Sequence, residues 1–267
     1  MLRTMASMLL HVVADYGTGD LAFAEVAQRF ALVMPNTRVI STAVPPFATL
    51  SAGFVVAQLA LNDGPSDRAV FHNVAPRRDD EGVRAAGDGE RLVHATLPNG
   101  VQVVGVHAGY AFSFLQEAGA ILHDIDVPSK GSQFRSRDLF PAATASALAG
   151  AGLLGRVPAS AVPAVPEDRV AYTDGFGNIK TTLEADRVPP PGTPVTISVA
   201  GVQRDAVVAG GSFAVPHGTL TLAPGSSGYA RADGDPRVWL ELFLRGGSAA
   251  EAFGWPPPQS TVHVEPR

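Results

Sequence analysis

Four short stretches of the chain carry residue types and spacings that can do chemistry. Val13-Ala14-Asp15-Tyr16-Gly17-Thr18-Gly19-Asp20 places two carboxylates on a glycine turn, between an apolar run and a helical pattern. Strand, glycine turn, acid and helix is how an α/β protein builds a ligand crevice at the carboxyl end of its first strand. Carboxylates there suit hydroxyls or a cation and would repel a phosphate. The plain local alternative is that Gly17 and Gly19 make the turn and Asp20 caps the helix. Phe71-His72-Asn73-Val74-Ala75-Pro76-Arg77-Arg78 ends a strand in a basic turn, and Ser132-Gln133-Phe134-Arg135-Ser136-Arg137-Asp138 opens a helix. Asp174-Gly175-Phe176-Gly177-Asn178 sets an acid, an aromatic ring and an amide on one turn. Taken singly, these three have ordinary explanations as surface, cap and turn.

The elements that must position these residues follow from periodicity. Met8 to Val13 reads as a buried strand, Leu21 to Val33 as an amphipathic helix, Val39-Ile40 as a strand, Leu50 to Leu61 as a second helix and Ala69 to Val74 as a third strand. That β-α-β-α-β order favours a mainly parallel sheet with helices on both faces. Pro98-Asn99-Gly100 between Leu92–Leu97 and Val101–Val106 is a hairpin signal. A short helix over Gly109 to Gln116, a strand over Ile121 to Ile125 and a helix over Asp138 to Leu148, capped by Asp138, complete this part. The proline- and alanine-rich stretch 158–168 reads as an interdomain linker. Beyond it, short strands between glycine and proline clusters indicate a small all-β barrel or sandwich. The expected domains are residues 1–157, the linker 158–168, and residues 169–267.

Composition limits the function classes. A net charge of −5 argues against a general nucleic-acid binder, which needs a concentrated basic face. The absence of cysteine removes disulfides, thiolate metal sites and thiol nucleophiles, and no metal site is expected. The apolar run Met8 to Val13 is too short for a signal segment and Asp15 closes it without a small-residue cleavage site. No apolar run reaches membrane-spanning length, so a soluble, cytoplasmic protein is expected.

In order and spacing, these patches together resemble the family of S-adenosylmethionine hydrolases (hydroxide adenosyltransferases), which includes the fluorinases and chlorinases. That family's Asp-Phe-Gly turn followed by a second Asp is similar to Asp15 to Asp20. Its Phe-His-Gly-Arg-Asp-x-Phe-x-Pro-Ala-Ala segment is similar to Phe134 to Ala143, and its Asp-x-Phe-Gly-Asn is matched in full by Asp174 to Asn178. Gly225-Ser226-Ser227-Gly228, Leu240-Glu241-Leu242 and Gly247-Ser248-Ala249-Ala250 resemble its last segments, with an insertion through Arg237. The resemblance implies an α/β N-terminal domain and a β-barrel C-terminal domain. It also implies a homotrimer, with the ligand between one subunit's N-terminal domain and a neighbour's C-terminal domain. S-adenosyl-L-methionine would be substrate or ligand, with no further cofactor and no nucleic-acid or membrane partner. By that resemblance Asp15 accepts hydrogen bonds from the ribose hydroxyls and Asp20 lies near the methionine end. Asp174 faces the methionine ammonium, Phe176 packs beside the adenine, Asn178 hydrogen-bonds it, and Ser226 and Ser227 meet the methionine carboxylate.

The implied reaction is hydrolysis of S-adenosyl-L-methionine to adenosine and L-methionine by attack of water at the ribose C5′. The departures from the family lie in the residues for that step. The family's Val-Asp-Pro-Gly-Val-Gly-Thr-x-Arg-Arg segment is shortened here to His72-Asn73-Val74-Ala75-Pro76-Arg77-Arg78, with Asn73 in the aspartate's place and its arginine kept as Arg77 or Arg78. The histidine of Phe-His-Gly-Arg-Asp is Arg135. Asn73 takes no proton and Arg135 is always protonated, so neither is a general base. Asp79, Asp80, His72 and His107 are the remaining base candidates, the histidines having structural roles as the simpler reading. Ser136 falls where halogenating members place a halide-binding serine. Three readings result: the hydrolase, a halide-transferring enzyme, and a non-catalytic nucleoside binder that lost the catalytic set.

Overall fold

The structure, a computed structural model, describes residues 8–74, 91–128 and 133–267. The chain forms two compact units that divide after Ala164, an α/β unit and a β-rich unit.

Seven strands make the sheet of the first unit: β1 (Met8–Ala14), β2 (Thr37–Ala43), β3 (Arg68–Asn73), β4 (Leu92–Thr96), β5 (Gln102–Val106), β6 (Ile121–Ile125) and β7 (Leu153–Arg156). Their order is β2-β1-β3-β5-β4-β6-β7. The expected mainly parallel sheet is in fact mixed. Pairs β1–β2, β1–β3 and β3–β5 are parallel, and β4–β5, β4–β6 and β6–β7 are antiparallel. The reversal comes from the hairpin at Asn99-Gly100, where Gly100 takes a positive φ and the Asn99 side chain accepts the Val101 N–H. A two-strand hairpin cannot join parallel neighbours, so β4 must run against β5.

Helix α1 (Leu21–Val33) buries Phe23, Val26 and Phe30, an i, i+3, i+7 face. Helix α2 (Thr49–Leu61) is apolar on every side and almost wholly buried, as a central helix must be. After the short helix α3 (Ser113–Glu117) comes a separate one-turn helix α4 (Arg135–Asp138), and the helix expected over 138–148 is α5 (Phe140–Leu148), starting two residues later. Pro141 lies in the first turn of α5, where its missing N–H costs nothing, whereas one longer helix would place it in the interior. Asp138 therefore does not cap α5. Its carboxylate takes the Arg137 guanidinium at 2.8 and 2.9 Å, with Arg29 at 3.5 Å.

The stretch 158–168 opens as a 3-10 turn over Ala159–Ala161, with Val162 buried and the Ala159 carbonyl accepting the Gln116 side chain. The second unit holds β8 (Val170–Thr173), β9 (Ile179–Glu184), β10 (Pro194–Val199), β11 (Val202–Val208), β12 (Leu220–Ala230), β13 (Pro236–Leu244), one-turn α6 (Ala249–Ala252) and β14 (Val262–Pro266). The sheet order is β14-β10-β11-β12-β13-β9-β8. An Arg169–Thr261 bridge joins its two edges, backed by the Val170 N–H to Ser260 O and the Val262 N–H to Asp168 O. Ile179, Leu183, Val195, Ile197, Leu222, Leu240, Leu242 and Phe253 fill its interior. Among the described residues no helix is long and apolar enough to cross a membrane.

One close approach fixes the centre of the first sheet. His72 on β3 lies opposite Gly105 on β5, and a Cβ on Gly105 would stand 2.1 Å from the imidazole. Gly105→Ala should therefore cost about 1–3 kcal/mol in urea unfolding, as overpacking does. His72→Ala in the same chain should recover most of the alanine penalty. Additive losses in the double variant would show that the ring is not what the glycine accommodates.

Candidate functional site

In the first unit the chain passes from β1 through α1 to β2 on one side, then through α2 to β3 on the other. The carboxyl ends of β1 and β3 therefore flank a topological switch point, where open α/β sheets form their ligand crevice. Asp15 follows β1, and Asn73 ends β3. The Asp15 carboxylate accepts the N–H of Phe47 at 2.9 Å, and Phe47 is a non-glycine residue at φ 61°. The acid thus holds the β2–α2 loop against the end of β1. Asp20 is exposed and caps α1 by accepting the Ala22 N–H at 2.8 Å, the plainer of its two sequence readings.

Tyr16, which the sequence reading left without a role, ties this edge together. Its hydroxyl donates to Ser136 Oγ at 2.6 Å, and the Asn73 side chain hydrogen-bonds the same hydroxyl. Phe23 and Phe134 meet its ring edge-on at 5.1 and 6.0 Å. Burial, with a smaller contribution from the Asp15 charge, pushes the phenol well above its ordinary range, so Tyr16 stays neutral and donates. The structure thus brings Asn73 and Ser136 together on one phenol. Beside them, the Arg135 guanidinium lies 5.3 Å from the centre of the Phe140 ring. Arg77, Arg78, Asp79 and Asp80 lie outside the described residues.

Of the histidine candidates, His72 is a core residue and His107 is half-buried. His72 is fully buried against Phe112 at 4.8 Å, and among the described residues neither ring nitrogen has a hydrogen-bond partner. Burial pushes its pKa down to about 3, with a small contribution from His107. His107 stacks on the same phenylalanine and is lowered by burial and by Arg91. Walled off from solvent, His72 cannot reach a nucleophile in the crevice.

In the second unit the five-residue turn Asp174–Asn178 joins β8 to β9. Asp174 Oδ1 accepts the N–H groups of Phe176 and Asn178 at 2.9 and 3.0 Å, and Oδ2 accepts Asn178 Nδ2 at 3.0 Å. Gly177, at φ +80°, lies against Ser248, where a Cβ would come 2.0 Å from the hydroxyl, and its carbonyl accepts the Ala250 N–H. So constrained, the turn presents Phe176 with 84% of its surface exposed.

Phe176 stands at a cleft of about 560 Å³ lined also by Phe213, Phe243, Asn178, Lys180, Ser226 and Glu241. Phe213, 83% exposed, is a second aromatic wall that sequence reasoning missed; its signal is a lone aromatic after Gly210-Gly211 in a loop. Lys180 and Glu241 are register partners across β9 and β13. Lys180 Nζ donates to Glu241 Oε2 at 2.8 Å and lies 3.8 Å from Asp174 Oδ2. Ser227 donates to the other Glu241 oxygen at 2.7 Å and is buried. The expected methionine-carboxylate contact at Ser227 therefore competes with an internal partner, while Ser226 lines the cleft. Among the described residues no group of three or more histidine, aspartate or glutamate side chains is arranged to hold a metal.

No protein-family model and no curated protein matches this chain. Among solved structures, it is similar to an uncharacterized conserved protein from Thermotoga maritima, with a TM-score of 0.73 and 20% identity over 96% of this chain and 99% of the other. A conserved hypothetical protein from Thermus thermophilus is similar at a TM-score of 0.62 and 24% identity, again over 96% and 99%. At such identities the likeness is one of fold.

The buried histidine has a measurable consequence. Unfolded, His72 binds a proton near pH 6.5, and folded only near 3, so stability is full above 6.5 and falls as pH drops through that window. Each such group contributes a slope of up to about 1.4 kcal/mol per pH unit, and His11, His94 and His107 are lowered in the same direction. His72→Leu should remove one group's share of the slope between pH 6 and 4 in denaturant titrations. An unchanged slope would mean that His72 takes up a proton in the folded protein.

Proposed function

We propose that this protein acts at the ribose C5′ of an adenine nucleoside activated as a 5′-sulfonium, with water as the nucleophile. The observation that carries the nucleoside is the cleft of the second unit. Two exposed phenylalanines, Phe176 and Phe213, border a small set of polar groups that includes the Asn178 amide. Planar apolar walls suit a purine, and an amide that both donates and accepts suits its edge. The family resemblance gives the reaction its best-known form, hydrolysis of S-adenosyl-L-methionine to adenosine and L-methionine. It also suggests a cytoplasmic homotrimer, a closed barrel for the second unit, and a ligand held between subunits, with Asp15 on the ribose hydroxyls.

Chemically the step needs little help. Water's oxygen bonds to C5′, the C5′–S bond breaks, sulfur leaves as a neutral thioether, and the water's proton passes to solvent. The protein's part is to place the water in line and strip its hydration. Asn73 and Ser136, both hydrogen-bonded to Tyr16, are polar groups set at the crevice for that orientation. Arg77, Arg78 and Arg135 would favour an anionic nucleophile, which keeps chloride or fluoride transfer at Ser136 as an alternative.

A specific observation favours a second reading, a binder without turnover. Among the described residues, the side chains gathered on the Tyr16 hydroxyl, Asn73 and Ser136, and the neutral phenol itself include no group that accepts a proton near neutral pH. Incubation with S-adenosyl-L-methionine and with the smaller 5′-dimethylsulfonio-5′-deoxyadenosine, with and without halide, separates the readings by chromatography. Adenosine is the expected product. A 5′-halo nucleoside would favour halide transfer, binding without product would favour the binder, and no binding of either compound would overturn the nucleoside reading. Phe176→Ala and Phe213→Ala should each weaken nucleoside binding by about 1–3 kcal/mol, the usual worth of a base stacked on an aromatic ring. Both rings are solvent-exposed, so the circular dichroism spectrum should not change.

A further inference from the structure

We infer that Arg245, which does not line the cleft of the second unit, is a positioning residue for it: its guanidinium holds the loop that carries Phe213, so that the ring stands as the second aromatic wall. The inference rests on the nucleoside reading and adds to it the residue that sets that wall.

The loop 209–219 joins β11 to β12, which are parallel neighbours. Such strands cannot be joined by a tight turn, so the loop has to double back over the end of the sheet. Its two halves are anchored unequally. After Phe213, Val215 is buried in a small cluster with Ala209 and Ala223, and Phe243 packs against that cluster. Before Phe213 come Gly210 and Gly211, and a Cβ on either would meet nothing within 4 Å. Two glycines in open space leave the backbone its widest choice of conformation. The Phe213 ring, standing in solvent, gains little position from packing of its own.

Arg245 supplies the missing constraint. Its Nη1 donates to the carbonyl of Phe213 at 3.4 Å and to that of Val215. Among the described residues these carbonyls are the guanidinium's hydrogen-bond partners, and no carboxylate pairs with it. The root of the side chain is fixed as well. The Arg245 N–H donates to Thr219 O at 3.1 Å, and its carbonyl accepts the Gly218 N–H at 2.8 Å. Hydrogen bonds from a charged donor are stronger than neutral ones, and here one donor ties the carbonyl of Phe213 to the anchored half of the loop. A wall set before the ligand arrives need not be ordered on binding, and that saving appears as affinity.

Calorimetry with adenosine on the full chain tests this. Arg245→Met should weaken binding about three- to tenfold, the order expected when a side chain and its loop must be ordered on binding. In the Phe213→Ala background the same change should cost less than about twofold, because the wall it holds is gone. Gly211 has room for a methyl group and no positive φ. Gly211→Ala should therefore recover about two- to fivefold of the Arg245→Met loss, by narrowing the conformations open to the loop. Should Arg245→Met not fold, Arg245→Lys carries the same expectation at about threefold, since it keeps the charge and loses the planar fork. If Phe213→Ala weakens adenosine binding and the Arg245 variants do not, the inference is overturned and the nucleoside reading stands. A loss of the same size with and without Phe213 would overturn it too, since the arginine would then act elsewhere. If the wild-type protein binds no adenosine, or binds it as well without the Phe176 and Phe213 rings, the nucleoside reading fails and takes this inference with it.

Discussion

The geometry of the second unit's cleft depends on one buried ion pair, Lys180 with Glu241. A carboxylate this far from water is stable only when ion-paired and hydrogen-bonded, and three neighbours are arranged to satisfy it. Ser227 donates to one oxygen, Lys180 to the other, and Gly225 leaves the space. From Lys180 the connection runs to Asp174, and from Asp174 through three hydrogen bonds to the turn that holds Phe176 out in solvent. An exposed ring is thus oriented by a charge in the core. Such an arrangement is preorganised: the turn need not be ordered when a ligand arrives.

The first unit reaches its order by a different route. Its crevice edge is held by neutral hydrogen bonds, Tyr16 to Ser136 and Asn73, and by one carboxylate on a backbone N–H, Asp15 to Phe47. The imidazole behind it, His72, is kept uncharged by burial. A cluster of neutral donors can orient a small polar molecule but does little to change its protonation. The proposed chemistry matches that division, since a sulfonium leaves without acid assistance and the demand on the protein is mainly one of placement.

Much of the local structure was legible in the sequence because it is written in short-range signals. The glycine turn after β1, the amphipathic face of α1, the Asn99-Gly100 hairpin and the Asp174–Asn178 turn each depend on residues within one element. What escaped was set by pairing over distance. Tyr16 meets Ser136 across 120 positions and Lys180 meets Glu241 across 61, and no periodicity carries such partners. The mixed sheet was missed because the β-α-β-α-β opening dominates the pattern, although the hairpin already required an antiparallel pair. The helix expected from 138 to 148 is present from Phe140, with Pro141 in its first turn, and the separate turn α4 before it went unread. Asp20 was legible as the cap of α1 and Asp174 as an acid on a turn, whereas the Lys180 ammonium near Asp174 is held there by Glu241, a partner that only three dimensions bring to it.

The Asp174–Asn178 turn is closed from behind by residues far later in the chain. Gly177 packs on Ser248 and accepts the Ala250 N–H, and Ser248 in turn caps α6 by accepting the Glu251 N–H. Lys180 waits likewise for Glu241. During synthesis, therefore, the β8–β9 hairpin emerges about seventy residues before its latch, the separation read from Gly177 and Ser248. Until β13 arrives to pair with β9, Phe176 sits on a ribbon of two strands, which is marginal in water on its own. The cleft is then among the last features of the unit to form on the ribosome, and a nascent chain stalled before residue 236 would carry the aromatic turn on that two-strand ribbon alone.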